Sequence, residues 1–464
     1  MSLKKSDNFD TPPAHASAFE SPAGGSPLWQ MLRSNWMLPL ALLLLWPANW
    51  LVHDSGAIDP YQRRIIMLVG VSMILAVSLQ LINGISGQFS LGHAGFMAVG
   101  AYLSAYPMRT YGPQNPIGLV TYFVALTITV GLAAAALYGI FFVIRRSGRL
   151  HSALPSLLVL AVGAWFLVDI ARAAAYSDTP PAYFVWSRSF TLLHELFGAL
   201  LGNSMPVAQN VSAALPAAVR PTMSFLTVLI GGGLCAAVAG LVVGLPTLRL
   251  RGDYLAIATL GLAEITRVVI TNSEPLGRAT GMIGIPRMAN FAWLYGGVIV
   301  TVVVVWRIAR SAKGRTITAV REDEIAAGAV GIDATRSKVL AFVVGAFLAG
   351  VAGGMFAHFN TYLNPQEFGF LRSVEIVVMV TLGGLGSISG AIITAIVLTC
   401  LPELLRGFAE WRMIVYSMLL IGMMLLRPQG IMGAREAWEF LPWFRRRRAV
   451  PPPTTPAGGA DAPA

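Results

Sequence analysis

The feature that most constrains this chain is a succession of apolar runs with nearly all charge confined to the stretches between them. Each run approaches the ~20 residues that a helix needs to cross ~30 Å of hydrocarbon. Runs near Trp36–Val52, Ile65–Asn83, Gln88–Pro107, Ile117–Ile144 and Ser152–Tyr176 are followed by others near Met223–Leu245, Tyr254–Thr271, Phe291–Ile308 and Val339–Phe359. Val374–Leu385, Ile388–Leu405 and Met413–Leu426 complete the series. Apolar residues make up 55% of the 464 and charged residues only 12%, where a soluble domain carries about 25%. Mean hydropathy is +0.66. The predicted fold class is all-α, a polytopic transmembrane helical bundle of about 10–12 spans that includes broken or half helices. Val374–Leu385 is long enough only for a half-helix at ~1.5 Å per residue.

A net charge of +11 raises the question of nucleic acid, but the distribution excludes it as a partner. Lys and Arg stand at run ends, as in Arg145–Arg149, Arg249–Arg251, Arg307–Lys338 and Arg445–Arg448, without the interleaved aromatic rings of a stacking platform. This is the excess of positive charge that marks cytoplasmic loops of a protein embedded in membrane lipid. Both termini are then cytoplasmic, with Val374–Leu385 and Ile388–Leu405 forming a hairpin that turns at Gly383, Gly384, Gly386 and Gly390. Arg63 and Arg64 fall on the outer side and run against the scheme. Residues 1–34 and 434–464 read as tails, the first and the end of the second rich in small residues and proline and expected to be disordered. Residues 35–433 form the membrane domain. Phe184–Leu201 reads as an interfacial helix. Cys235 and Cys400 sit in apolar stretches, which argues against a disulfide.

The polar stretch Arg307–Lys338 carries seven basic and four acidic residues. Its composition predicts a helix of about two turns over Glu322–Val330, with Glu322, Asp323 and Glu324 at the end where the helix dipole favours negative charge and Gly331 as C-cap. Such a loop helix is either an ordinary solvated segment or a docking element for a cytoplasmic partner.

Six stretches, in order, resemble the branched-chain amino acid permeases of the ABC importers, specifically the M-type subunit. They are NGISGQFSLGHAGFMAVGAY (Asn83–Tyr102), LPTLRLRGDYLAIATLGLAEITRVVITN (Leu245–Asn272), REDEIAAGAVGI (Arg321–Ile332), AFVVGAFLAGVAGGMFA (Ala341–Ala357), VTLGGLGSISGAIITA (Val380–Ala395) and LLRPQGIMG (Leu425–Gly433). The resemblance implies an inner-membrane permease subunit that imports branched-chain amino acids or related small polar solutes. Its partners would be a second permease subunit, ABC ATPase subunits that bind the ATP, and an extracytoplasmic substrate-binding protein. It makes 307–338 the coupling loop, with Glu322, Glu324, Ile325, Ala326, Ala327 and Gly331 at the ATPase. The wider superfamily has Glu-Ala-Ala-x-x-x-Gly there, and Ile325 stands in place of its glutamate. Residues 145–222 are an insertion relative to the resemblance, expected at the periphery of the path.

No P-loop, HExxH, nucleophile elbow or Cys/His cluster occurs, so the chain is expected to be no enzyme and to hold neither metal nor cofactor. His93 and His358 are expected to be packed neutral residues. Glu264 and Glu375 are costly acids at membrane depth, with Asp169 third. They either pair locally, as Glu264 with Arg267 one turn on, or line a translocation path together with Asn83, Gly87, Gly383 and Gly384. An ion-coupled secondary transporter without an ATPase is the competing function; it gives the Arg321–Ile332 loop no role.

Overall fold

The structure is a computed structural model that describes residues 37–53, 58–128, 202, 204–247, 253–408 and, beyond these, positions 414, 417, 418, 421, 422, 425–427, 430–433 and 436. The apolar run Ser152–Tyr176, the helix expected over Phe184–Leu201, Asp169, the basic clusters at Arg145–Arg149, Arg249–Arg251 and Arg445–Arg448, and nearly all of both tails lie outside the described residues.

Among the described residues the apolar runs become helix. In chain order these are α1 (Met37–His53), α2 (Pro60–Leu79), α3 (His93–Tyr111), α4 (Pro116–Ile128), α5 (204–214), α6 (Arg220–Thr247), α7 (Asp253–Asn272) and α8 (Phe291–Arg310). Two short helices follow, α9 (Ala312–Glu322) and α10 (Glu324–Ala329), then α11 (Ala334–Asn360), α12 (Phe370–Gly383) and α13 (Ile388–Leu404). Among the described residues five segments are long and apolar enough to cross a membrane: Pro60–Ile85, Arg220–Gly244, Tyr254–Asn272, Phe291–Arg310 and Ala334–Asn360. Their burial ranks them by position. Pro60–Ile85 is 83% enclosed by the chain, whereas Phe291–Arg310 is 22% enclosed and presents residues such as Val300 outward.

Small residues set the packing. Lipid tails are as apolar as leucine, so membrane helices gain little from burial and depend on close van der Waals contact. A Cβ on Gly100 of α3 would stand 2.1 Å from the Gly350 carbonyl oxygen of α11, and one on Gly353 would stand 2.0 Å from the Met97 carbonyl oxygen. Only glycine allows α3 and α11 to approach this closely. Larger side chains close the remaining gaps, as where Phe225 of α6 meets the rings of Trp293 and His358 edge-on at 5.1 and 5.3 Å. His93 and His358 are fully buried, hydrogen-bonded to Ser78 Oγ at 2.8 Å and to the Pro286 carbonyl at 3.0 Å.

Two departures from expectation shape the site. The run expected over Ile65–Asn83 continues as a π-helical segment, Gln80–Ile85, and the next helix starts only at His93 rather than near Gln88. The expected helix over Glu322–Val330 is broken at Asp323. There φ and ψ are −153° and 111°, and Asp323 Oδ1 accepts the N–H groups of Ile325 at 2.8 Å and Ala326 at 3.0 Å. An aspartate that satisfies two free N–H donors is a strong N-cap, so α10 starts after it and Glu322 closes α9.

Candidate functional site: a hub at the loop end of the bundle

The 311–333 loop is held at both ends by its own side chains. Ser311 Oγ accepts from Gly314 N at 3.1 Å to start α9, and Asp333 Oδ1 accepts from Arg336 N at 3.1 Å to start α11. α9 turns Ile317 and Val320 inward. On α10 and its C-cap Val330, Ala327 is buried, while Ile325 and Val330 are 78% and 77% exposed and Ala326, Gly328 and Ala329 also face solvent. Glu324 is tied to Lys338 Nζ at 2.8 Å, which fixes α10 against α11. Gly331 carries the loop out at φ +83° with no neighbour around it. Of the six residues assigned to coupling, Ile325, Ala326 and Gly331 lie on the outer surface. Ala327 points inward, Glu324 is a tether, and Glu322 is paired with Arg321 outside α10.

Arg321 joins this loop to the core. Its Nη1 donates to the Gly84 carbonyl at 2.7 Å, one of the carbonyls that the π-helical turn leaves accessible. Its aliphatic stem fills the space over Gly87, where a Cβ would lie 2.4 Å from Arg321 Cγ. Gly87 also has φ +69°, so both space and backbone require glycine. On the other side of Gly84 stands the α12–α13 turn. Gln80 Nε2 donates to the carbonyls of Gly384 at 2.9 Å and Ser387 at 3.2 Å. A Cβ on Gly390 would sit 2.0 Å from the Gly383 oxygen, so the hairpin legs touch backbone to backbone. Residues 430–433 lie against the same turn, with Ile431 N donating to Leu382 O at 2.7 Å and Met432 N to Gly383 O at 3.3 Å. Glu436 then reaches the start of α13, accepting from Ile388 N at 2.9 Å, Ser389 N at 3.0 Å and Ser389 Oγ at 2.6 Å. Four of the six matched stretches thus converge on one hub. Sequence reasoning missed Arg321 and Glu436 as connectors, because a basic residue in a basic loop and a lone acid near a tail carry no pattern.

The path candidates divide into two groups. Asn83, Gly87, Gly383 and Gly384 belong to the hub. Glu264 and Glu375 lie elsewhere and are paired: Glu264 Oε2 with Arg267 Nε at 2.7 Å, and Glu375 Oε2 with Arg372 Nη1 at 2.7 Å. Glu264 Oε1 also accepts from Phe370 N at 3.0 Å, capping the first turn of α12. Glu264 precedes the end of α7 by eight residues, ~12 Å, so α12 starts part-way along its neighbour, as a half-helix does. Between the hub and α3 runs the non-helical segment Ser86–Gly92. Its Gln88 is 4% exposed, and neither amide atom has a partner among the described residues; the same holds for Asn83 Nδ2. On the connection between α11 and α12, burial raises the Glu367 carboxyl above its usual range, opposed by Arg372 and Arg64. Among the described residues no group of three His, Cys, Asp or Glu could hold a metal.

Fold and hub define a class first: an all-α, multi-pass membrane protein whose core helices are broken where a projecting loop is wired into them. A family model described as branched-chain amino acid transport system / permease component matches residues 63–201 and 196–427, and the chain belongs to that family. It is similar to the high-affinity branched-chain amino acid transport system permease protein LivM of Escherichia coli (strain K12), at 36% identity over 245 residues, 45% of this chain and 58% of the relative. LivH of the same organism and system is 28% identical over 190 residues, 36% of this chain and 61% of the relative. The autoinducer 2 import system permease protein LsrC of Enterobacter sp. (strain 638) is 28% identical over 292 residues, 58% of this chain and 84% of the relative. The chain therefore spans less than two thirds of the length of LivM. No solved structure matches.

Proposed function

We propose that this chain is the M-type permease subunit of an ABC importer, passing branched-chain amino acids or related small polar solutes inward across the inner membrane. ATP is bound and hydrolysed by partner ATPase subunits, and an extracytoplasmic binding protein delivers the substrate. A second permease completes the pathway, and both termini lie in the cytoplasm. One observation carries this reading. α10 and its C-cap Val330 present an outward surface with Ile325, Ala326, Gly328 and Ala329 while Arg321, at the end of α9, is bonded directly to Gly84 in the broken core. A small-residue helix of this kind suits a groove on a partner, and its connection to the core gives a docked partner mechanical access to the path.

The path itself runs past Asn83, Gly87, Gly383 and Gly384, with Glu264 and Glu375 at its far part. The unpartnered amide atoms of Asn83 and Gln88 support this, since non-helical backbone and unsatisfied polar groups at membrane depth belong beside a cavity or substrate route. The deciding experiment is uptake of labelled leucine into proteoliposomes. The full complex with binding protein imports it when ATP is present on the ATPase side; the purified chain alone does not. ATP-independent uptake by the chain alone overturns the reading in favour of an ion-coupled secondary transporter.

A further inference from the structure

Residues 430–433 and Glu436 do more than follow the last apolar run. Three contacts bind them to the α12–α13 turn: the main-chain bonds from Ile431 and Met432 to Leu382 and Gly383, the seat of Gly433 against Gly384, where a Cβ would lie 2.4 Å from the Gly433 oxygen, and the Glu436 carboxylate. That carboxylate receives the first N–H groups of α13 and the hydroxyls of Ser389 and Ser387, the last at 3.3 Å. An anion at a helix N-terminus meets both the free donors and the positive end of the dipole. On its opposite side the same turn meets Gly84, whose Cβ would stand 2.7 Å from Gly386 N, and Gly84 is the residue that Arg321 holds.

We infer that Glu436 is a positioning residue: it clamps the α12–α13 turn from below, so that the turn, the π-helical segment and Arg321 move as one body. The consequence for transport rests on the reading that the loop docks an ATPase; the mechanical unity does not. Amide hydrogen exchange of the full-length chain in nanodiscs tests the unity without any substrate. In Glu436→Ala, exchange rises at Ser387–Gly390 and also at Asn83–Gly87, while Glu436→Asp stays within about twofold of the parent. A rise confined to Ser387–Gly390 makes Glu436 a local cap and overturns the inference, as does unchanged exchange. In the reconstituted complex, Glu436→Ala keeps its ATPase subunits and its basal ATP hydrolysis, but leucine imported per ATP falls about tenfold, ~1.4 kcal/mol at 25 °C. An unchanged ratio overturns the coupling role. Failure of the parental complex to import leucine counts against the proposed function, and the exchange pattern still decides the clamp.

Discussion

Ala326 and Ala327 are adjacent in sequence and opposite in environment, so substituting each separates the proposed docking from folding at the scale of single residues. Ala326 is exposed and Ala327 is 4% exposed. Ala326→Trp is expected to reach the membrane in normal amount and to lose co-purifying ATPase subunits and uptake together. Ala327→Trp overpacks a closed contact at about 1–3 kcal/mol and lowers the thermal stability of the chain itself. If both variants retain the partner, the docking assignment to α10 is wrong. Glu367 gives a pH dependence. Because burial raises its carboxyl in the folded state, the folded chain binds that proton more tightly than the unfolded one. Its penalty is absent below the ordinary glutamate value of ~4.3 and complete once pH exceeds the folded value, so stability falls as pH rises across that window. Glu367→Gln should flatten this stretch of the melting-temperature profile in detergent; parallel profiles for parent and variant would sink the assignment. Burial of this carboxyl is only partial, the residue still reaching solvent, which keeps the effect small.

At the scale of elements, the apolar helices were legible because their period and length leave no alternative in lipid. α7 and α8 fall within two residues of the expected bounds. The break at Gln80–Ile85 was only half legible: Asn83-Gly84 is a turn signal and ended the expected run, but nothing in Gln-Leu-Ile marks a π-helical turn. At the break Gln80 turns its amide to the Gly384 and Ser387 carbonyls, groups about 300 residues away that no local pattern announces. Asp323 could have been read as a cap, but three successive acids left its position ambiguous. The prediction at this scale is for Arg321. Arg321→Lys keeps the charge and loses the second donor geometry, and Arg321→Ala also empties the space over Gly87. Both should assemble with the ATPase subunits, and uptake should fall further for alanine. Equal, parental uptake in both would show that the link to Gly84 carries nothing.

For the molecule as a whole, residues 145–222, expected from the sequence to be an insertion, are the test of what belongs to the common core. Their described end, α5, packs beside α4, with Ser212 Oγ donating to Asn115 Oδ1 at 2.8 Å and Met205 against Tyr122 and Ala125. A chain with this segment deleted and its loop rejoined should insert, assemble and retain part of its uptake, and total loss in a stably assembled variant would make the segment part of the path. The sequence by itself determined that the chain lives in lipid, that it is helical, and that its long polar loop is singular, because these follow from hydropathy and charge counted along one dimension. Only the tertiary structure decided which glycines touch which backbone, that Glu264 also receives Phe370 N at the start of α12, and that Gly84, Arg321, Gly386 and Glu436 meet. Those are contacts between segments far apart in the chain, and no local pattern encodes a partner hundreds of residues away.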